Sequence, residues 1–321
     1  MIVGLLGLSA AGLGAERASR VAVIPMGATH QFWKSIHAGA VKAQRELQAR
    51  GIDVEVIWKG PLKEDDRGQQ IEVVENFVGS RVMGIVLAPL DSKALVAPVE
   101  EAVRAKIPVV IIGSPLKSPA PVSFIATDNR LGGRMGARRL GTLLGGEGRV
   151  ILLRVAVGSA ASEEREAGFL EELAALYPRI RVISADQHGG VTRDTAYRVA
   201  QNLLNRFGRQ VTGIFTPNES TTSGMLLALR DAGLAKGRVK FVGFDASPNL
   251  VAGLQADDLQ GLVVQDPMKM GYLGVMTVVA AARHEAVPAF VDTGVTMVTR
   301  ENMADSAVTE LLHPPLDRYL Q

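Results

Sequence analysis

Residues 21–40 read VAVIPMGATHQFWKSIHAGA. The opening run, VAVIPM, is apolar without polar interruption, as in a strand covered on both faces of a parallel sheet. From Lys34 the pattern becomes helical, and a helix over 34–50 is expected. Between the two lie His30, Gln31, Phe32 and Trp33. The chain has two tryptophans and nine phenylalanines, so an adjacent aromatic pair on a strand-end loop stands out. In open parallel sheets that junction is where ligands bind. A plainer reading makes Phe32 and Trp33 helix–sheet core and His30 an ordinary loop residue. Ala38, Gly39 and Ala40 predict a helix lying close on its sheet.

The same rhythm continues. Further strands are expected to begin near residues 53, 84 and 108, then near 149, 181, 213 and 239. Helix-length segments fall between them, including 67–79, 92–105, 163–177, 193–207 and 219–232. Strand–helix alternation of this kind gives doubly wound α/β domains. Two similar halves predict two parallel-sheet lobes. The short strands 123–127, 261–265 and 295–299 lie where one lobe hands over to the other, which predicts a three-segment hinge. The expected division is 21–126 plus 267–294 for the N-terminal lobe, and 127–266 plus 295–302 for the C-terminal lobe. A tail, 303–321, is expected to pack on a surface.

Bulk properties narrow the function. The 321 residues suit about two domains. The formal charge of +2, from 35 basic and 33 acidic residues, offers no basic face for nucleic acid. There is no cysteine, which excludes disulfides, thiolate metal sites and a cysteine nucleophile. The five histidines have no metal-ligand spacing. No dinucleotide fingerprint follows the first strand, and neither GxxxxGK[ST] nor HExxH occurs. An enzyme, a metal site and a cofactor are therefore not expected. Residues 1–20 carry an apolar stretch too short to span a bilayer and read as a leader for export, with no basic residue before it. A periplasmic location follows as an expectation.

Polar residues at the strand ends are mixed in type. Asp91 follows the third strand, Ser114 the fourth, and Thr127-Asp128-Asn129 the strand at 123. In the second half come Ser159 and Arg165, then Asn218, Asp245 and Gln265. Amides offer donors and acceptors, a guanidinium offers a planar fork, and carboxylates accept from hydroxyls. With an aromatic face, this set suits a hydroxylated ring. Each residue also has an ordinary reading: Asp128, Asn218 and Asp245 as caps or turn residues, and Arg165 as a solvated helix residue.

These stretches, HQFWKSIHAGAVKA, GIVLAPLDS, IPVVII, FIATDNRLGGRMGA, SAASEEREAGF, IFTPNESTTSGMLLAL, VGFDASP and VVQDP, resemble the periplasmic substrate-binding proteins of the ribose-binding type. The resemblance runs from about Val21 to Val298. It implies a two-lobed protein that captures a sugar by hinge closure and delivers it to an ABC transporter permease. Presentation to a membrane sensor is the alternative, and a monomer is expected. It implies that Phe32 and Trp33 pack on a sugar face, with His30 beside them where the family often has Asn. Arg165, Asn218, Asp245 and Gln265 match ligand positions, and Thr127-Asp128 matches a site-lining turn. Gly113-Ser114 departs from the family, which usually has an aspartate after the fourth strand. That departure predicts a deoxy, modified, acidic or larger ligand. The related repressor core would need a DNA-reading unit of some fifty residues ahead of the first strand, where only about twenty stand.

Overall fold

A computed structural model describes residues 19–28 and 30–320. The expected leader therefore lies largely outside the described residues. Two six-stranded sheets organise the chain. The first holds β1 (Ser19–Ile24), β2 (Val54–Trp58), β3 (Gly84–Leu87), β4 (Val109–Ile112), β5 (Ser123–Ala126) and β11 (Phe290–Asp292), in the order β11-β5-β4-β3-β1-β2. The second holds β6 (Glu147–Leu152), β7 (Arg179–Ser184), β8 (Gly213–Phe215), β9 (Lys240–Phe244), β10 (Gly261–Gln265) and β12 (Val295–Val298), in the order β12-β10-β9-β8-β6-β7. Described strand pairs are parallel except β10 with β12.

Helices cover both faces of each sheet, and each face has its own apolar cluster. They are α1 (Gln31–Ala49), α2 (Arg67–Gly79), α3 (Val96–Arg104), α4 (Asn129–Leu143), α5 (Ala160–Leu176), α6 (Arg193–Phe207), α7 (Glu219–Asp231), α8 (Pro248–Gln255), α9 (Pro267–Ala282) and α10 (Ser306–Leu312). The strands are uninterrupted apolar runs because both faces are dry: Val21 to Ile24, Ile85 to Leu87 and Val109 to Ile112 are buried. No helix among the described residues is long and apolar enough to cross a membrane.

Gly39 corrects the expected helix–sheet contact. A Cβ there would lie 2.0 Å from the Met268 carbonyl oxygen on α9, and one at Gly271 would lie 2.0 Å from that of Ile36. The glycine therefore lets two helices touch backbone to backbone. The second sheet repeats the device, with Gly133 against Arg165 at 2.0 Å and Gly168 against Arg130 at 2.2 Å. This contact seats α5, and with it Arg165.

The chain passes between the sheets three times: after β5, after β10, and between β11 and β12. The crossings are tied together. Thr127 Oγ1 donates to the Gly294 carbonyl at 3.1 Å and lies 3.4 Å from Thr293 Oγ1. The tail does more than rest on a surface. Val308 and Leu312 of α10 join a core beneath the second sheet, and Arg45 Nη1 on α1 donates to the Arg318 carbonyl at 2.7 Å.

Candidate ligand-binding site

The carboxyl ends of both sheets face a shared cavity of about 130 Å³. One wall carries Met26, His30, Phe32, Trp33 and Leu90, with Gly113-Ser114 at its end. The facing wall carries Ser159, Ser162, Arg165, Asn218, Asp245 and Gln265.

The second wall is built around Arg165, which is buried. Its Nε donates to Asn129 Oδ1, its Nη1 to the Pro217 carbonyl and its Nη2 to Gln265 Oε1, each at 2.9 Å. The guanidinium also lies 4.0 Å from the centre of the Phe244 ring. Gln265 Nε2 donates to Asp245 Oδ1 at 2.6 Å, and the Glu219 backbone N–H donates to Asp245 Oδ2 at 3.0 Å. Asp245 adopts φ +67°, a left-handed conformation costly for a non-glycine residue and frequent at functional sites. Burial raises the Asp245 pKa, opposed by Arg165, while burial lowers that of Arg165, opposed by Asp245. Each buried charge thus has the other as counter-charge.

The aromatic pair sits elsewhere than the sequence suggests. The helix begins at Gln31, so Phe32 and Trp33 form its first turn instead of a loop. Its N-cap, His30, makes no side-chain capping bond. The carboxylate of Glu219, on α7 in the other half of the molecule, accepts from Gln31 N at 3.4 Å and Phe32 N at 3.2 Å. A helix end without a local cap is satisfied from the opposite wall. Phe32 and Trp33 meet edge to face at 4.9 Å between ring centres, and Trp33 belongs to the core as well as to the cavity.

Trp33 Nε1 donates to Glu64 Oε1 at 2.7 Å, and His30 Nδ1 lies 3.1 Å from the same oxygen. Burial lowers the His30 pKa. Burial, with Glu219 and Asp245 nearby, pushes the Glu64 carboxyl up to about 8 against the opposing Trp33 hydrogen bond. Burial and Asp245 push Glu219 up to about 7, against the bonds from Phe32 and Gln31. Further links join the walls: Ala161 N donates to Ser114 Oγ at 3.3 Å, Ser92 N to the Gly158 carbonyl at 3.3 Å, and Arg67 Nη2 to the Val157 carbonyl at 3.0 Å.

Nine residues expected from the sequence line this cavity: His30, Phe32, Trp33, Ser114, Ser159, Arg165, Asn218, Asp245 and Gln265. Asn218 also caps α7 through Thr221 N at 3.0 Å. Two do not line it. Asp91 turns to its own backbone, accepting from Lys93 N and Ala94 N, and pairs with Arg67 at 3.1 Å. Asp128 is exposed and caps α4 through Leu131 N at 2.8 Å; its neighbour Asn129 reaches Arg165 instead. Glu64 and Glu219 were not among the expected site residues, and Asn129, named at its strand end, reaches the site only through Arg165. Glu64 lies past the end of β2, in the loop where Lys59–Asp66 reads KGPLKEDD.

A family model described as periplasmic binding protein domain matches residues 21–286. The ribose import binding protein of Salmonella typhimurium (strain LT2) is 30% identical over 271 residues, covering 84% of this chain and 86% of the relative. The crystal structure of a carbohydrate transporter solute binding protein from Agrobacterium radiobacter, in complex with D-arabinose, superposes with a TM-score of 0.88 at 32% identity, over 93% of this chain and 100% of that one. An ABC transporter solute binding protein from Agrobacterium vitis, with bound D-fucose, gives 0.86 at 31% identity over 92% of this chain and 100% of that one. Fold, strand-end cavity and sequence agree over the same span, and the chain belongs to the periplasmic binding protein family.

Proposed function

We propose that this protein captures a hydroxylated, sugar-like ligand between its two lobes and hands it to the permease of an ABC importer, without chemical turnover. The observation that carries this reading is the two-walled cavity, with Trp33 and Phe32 on one side and the Arg165–Gln265–Asp245 cluster on the other. A ring with apolar C–H faces and polar edges meets both needs. Relatives with D-arabinose and D-fucose bound support the ligand class.

The lobes are taken as the two sheets with their helices, 21–126 plus 267–294 and 127–266 plus 295–302, working as a monomer. Ligand contacts to both walls favour the closed arrangement over an open one, which is what a population shift requires. The residues ahead of β1 serve as the export leader, and the mature protein works in the periplasm. Isothermal titration calorimetry against pentoses, hexoses and polyols, with small-angle scattering before and after ligand, tests the reading. Binding of at least one such compound with a fall in radius of gyration supports it. No binding across the series, or binding without compaction, sinks it.

A further inference from the structure

Cations are scarce around the cavity, with Lys34 acting on Glu219 from α1. Arg165 is the deeply buried cation of the lining among the described residues, and it is already matched by Asp245. Arg67 reaches the rim, but it is exposed and pairs with Asp91. Of the other carboxyls of the lining, Asp65 is exposed and two lie deeper. Glu219 spends both oxygens on the backbone N–H groups of α1. Glu64 accepts from Trp33 on one oxygen, Oε1, with His30 Nδ1 3.1 Å from the same atom. Among the described residues no donor reaches its Oε2, and the charged groups that act on it, Glu219, Asp245 and Asp65, are all acidic. Burial of His30 disfavours its charged form.

A buried carboxyl without a cation is costly to ionise, and a bound cation removes that cost. A neutral polyol would leave Glu64 protonated, and a sugar acid would bring a further negative charge to an acidic lining. Gly113 itself holds φ +71°, and Glu64 brings a carboxyl to the same cavity from the end of β2.

We propose that the cavity selects a hydroxylated ligand bearing a protonated amine, an amino sugar or amino polyol, and that Glu64 is the residue that selects it. This rests on the reading of the cavity as a sugar site and names the ligand's charge. Glu64 Oε2 accepts from the ammonium, while Asp245, Asn218 and the Arg165 cluster serve the hydroxyl edge.

The test is calorimetry on the purified chain at about pH 6, where a sugar amine is protonated. Matched probes are glucose with glucosamine, galactose with galactosamine, N-acetylglucosamine, and the two uronates. The expected result is an amino sugar that binds about tenfold or more tighter than its neutral parent. Its binding should release about one proton, read from buffers of different ionisation enthalpy. Glu64→Gln should bring the pair within about threefold, equivalent to less than about 0.7 kcal/mol. A neutral parent or uronate binding as tightly as the amino sugar overturns the proposal while leaving the sugar reading intact. Native protein that releases no proton, or a folded Glu64→Gln that keeps the preference, also overturns it. If no sugar of any series binds, both readings fall.

Discussion

Glu64 makes a prediction about stability that needs no ligand. Its carboxyl has an ordinary value of 4.5 and stands at about 8 in the folded protein. Between those two pH values the folded chain holds a proton that the unfolded chain has lost. Stability therefore falls as pH rises through that window, opposite to the usual carboxylate. Three and a half tenfold steps in proton affinity, at about 1.4 kcal/mol each, set an upper bound of about 5 kcal/mol. Water entering the cleft on ionisation relieves most of this, leaving about 1–2 kcal/mol. For lobes of this size that is a Tm difference of roughly 3–8 °C. The assay is a thermal melt of wild type and Glu64→Gln at steps from about pH 5 to about pH 9. The curves should lie closest at the acid end, separate progressively up to about pH 8 and run parallel above it, with the variant the more stable. Glu219, at about 7, slopes the same way, so the variant's profile flattens without becoming level. A wild-type Tm that is constant or rises over this window, or a variant that falls as steeply, refutes the reasoning.

Glu219→Gln weakens the cap on α1 across the cleft and should cost about 0.5–2 kcal/mol of the closed arrangement; scattering would show a larger radius of gyration without a matching loss of helix by circular dichroism. Arg165→Met leaves Asp245 without its counter-charge, so a loss of about 3–5 kcal/mol is expected by urea titration, together with loss of ligand binding. Gly39→Ala puts a methyl 2.0 Å from the Met268 carbonyl oxygen, and chemical denaturation should show about 1–3 kcal/mol of destabilisation. Trp33→Phe keeps a ring but deletes the donor to Glu64, so ligand affinity should fall about tenfold with little change in Tm; unchanged affinity would remove Trp33 from the site.

The fold was legible because its strands are buried on both faces. Runs such as GIVL and VVII cannot be half-solvated strands, and their spacing leaves room for one crossover helix each. The helices α4 and α9 were harder to read. Their glycines, Gly133 and Gly271, look like breaks locally and become contacts only when a second helix arrives. The start of α1 was misplaced for a similar reason, since its cap, Glu219, stands 188 residues away from Gln31 in sequence. Arg165 and Asp245 could be read from their strand ends. Asp91 and Asp128 have the same strand-end address, yet each turns its carboxylate to its own backbone, a local choice the one-dimensional pattern does not separate from ligand binding.

The tie between Thr127 and Gly294 fixes where motion starts. Gln265 stands beside the second crossing and belongs to the same sheet as the strands leading to Asp245 and Asn218. Rotation about those crossings carries this wall as a unit, with its hydrogen bonds unbroken. Glu64 and Trp33 hang from the other sheet and meet the wall only at the end of the swing. On the function proposed above, encounter and selection would be separated in time: a ligand would dock first by its hydroxyl edge on an organised surface, and its charge would be examined last, when the second sheet arrives. Discrimination at Glu64 would then appear chiefly in how long the closed complex lasts, and hardly at all in how fast the ligand lands.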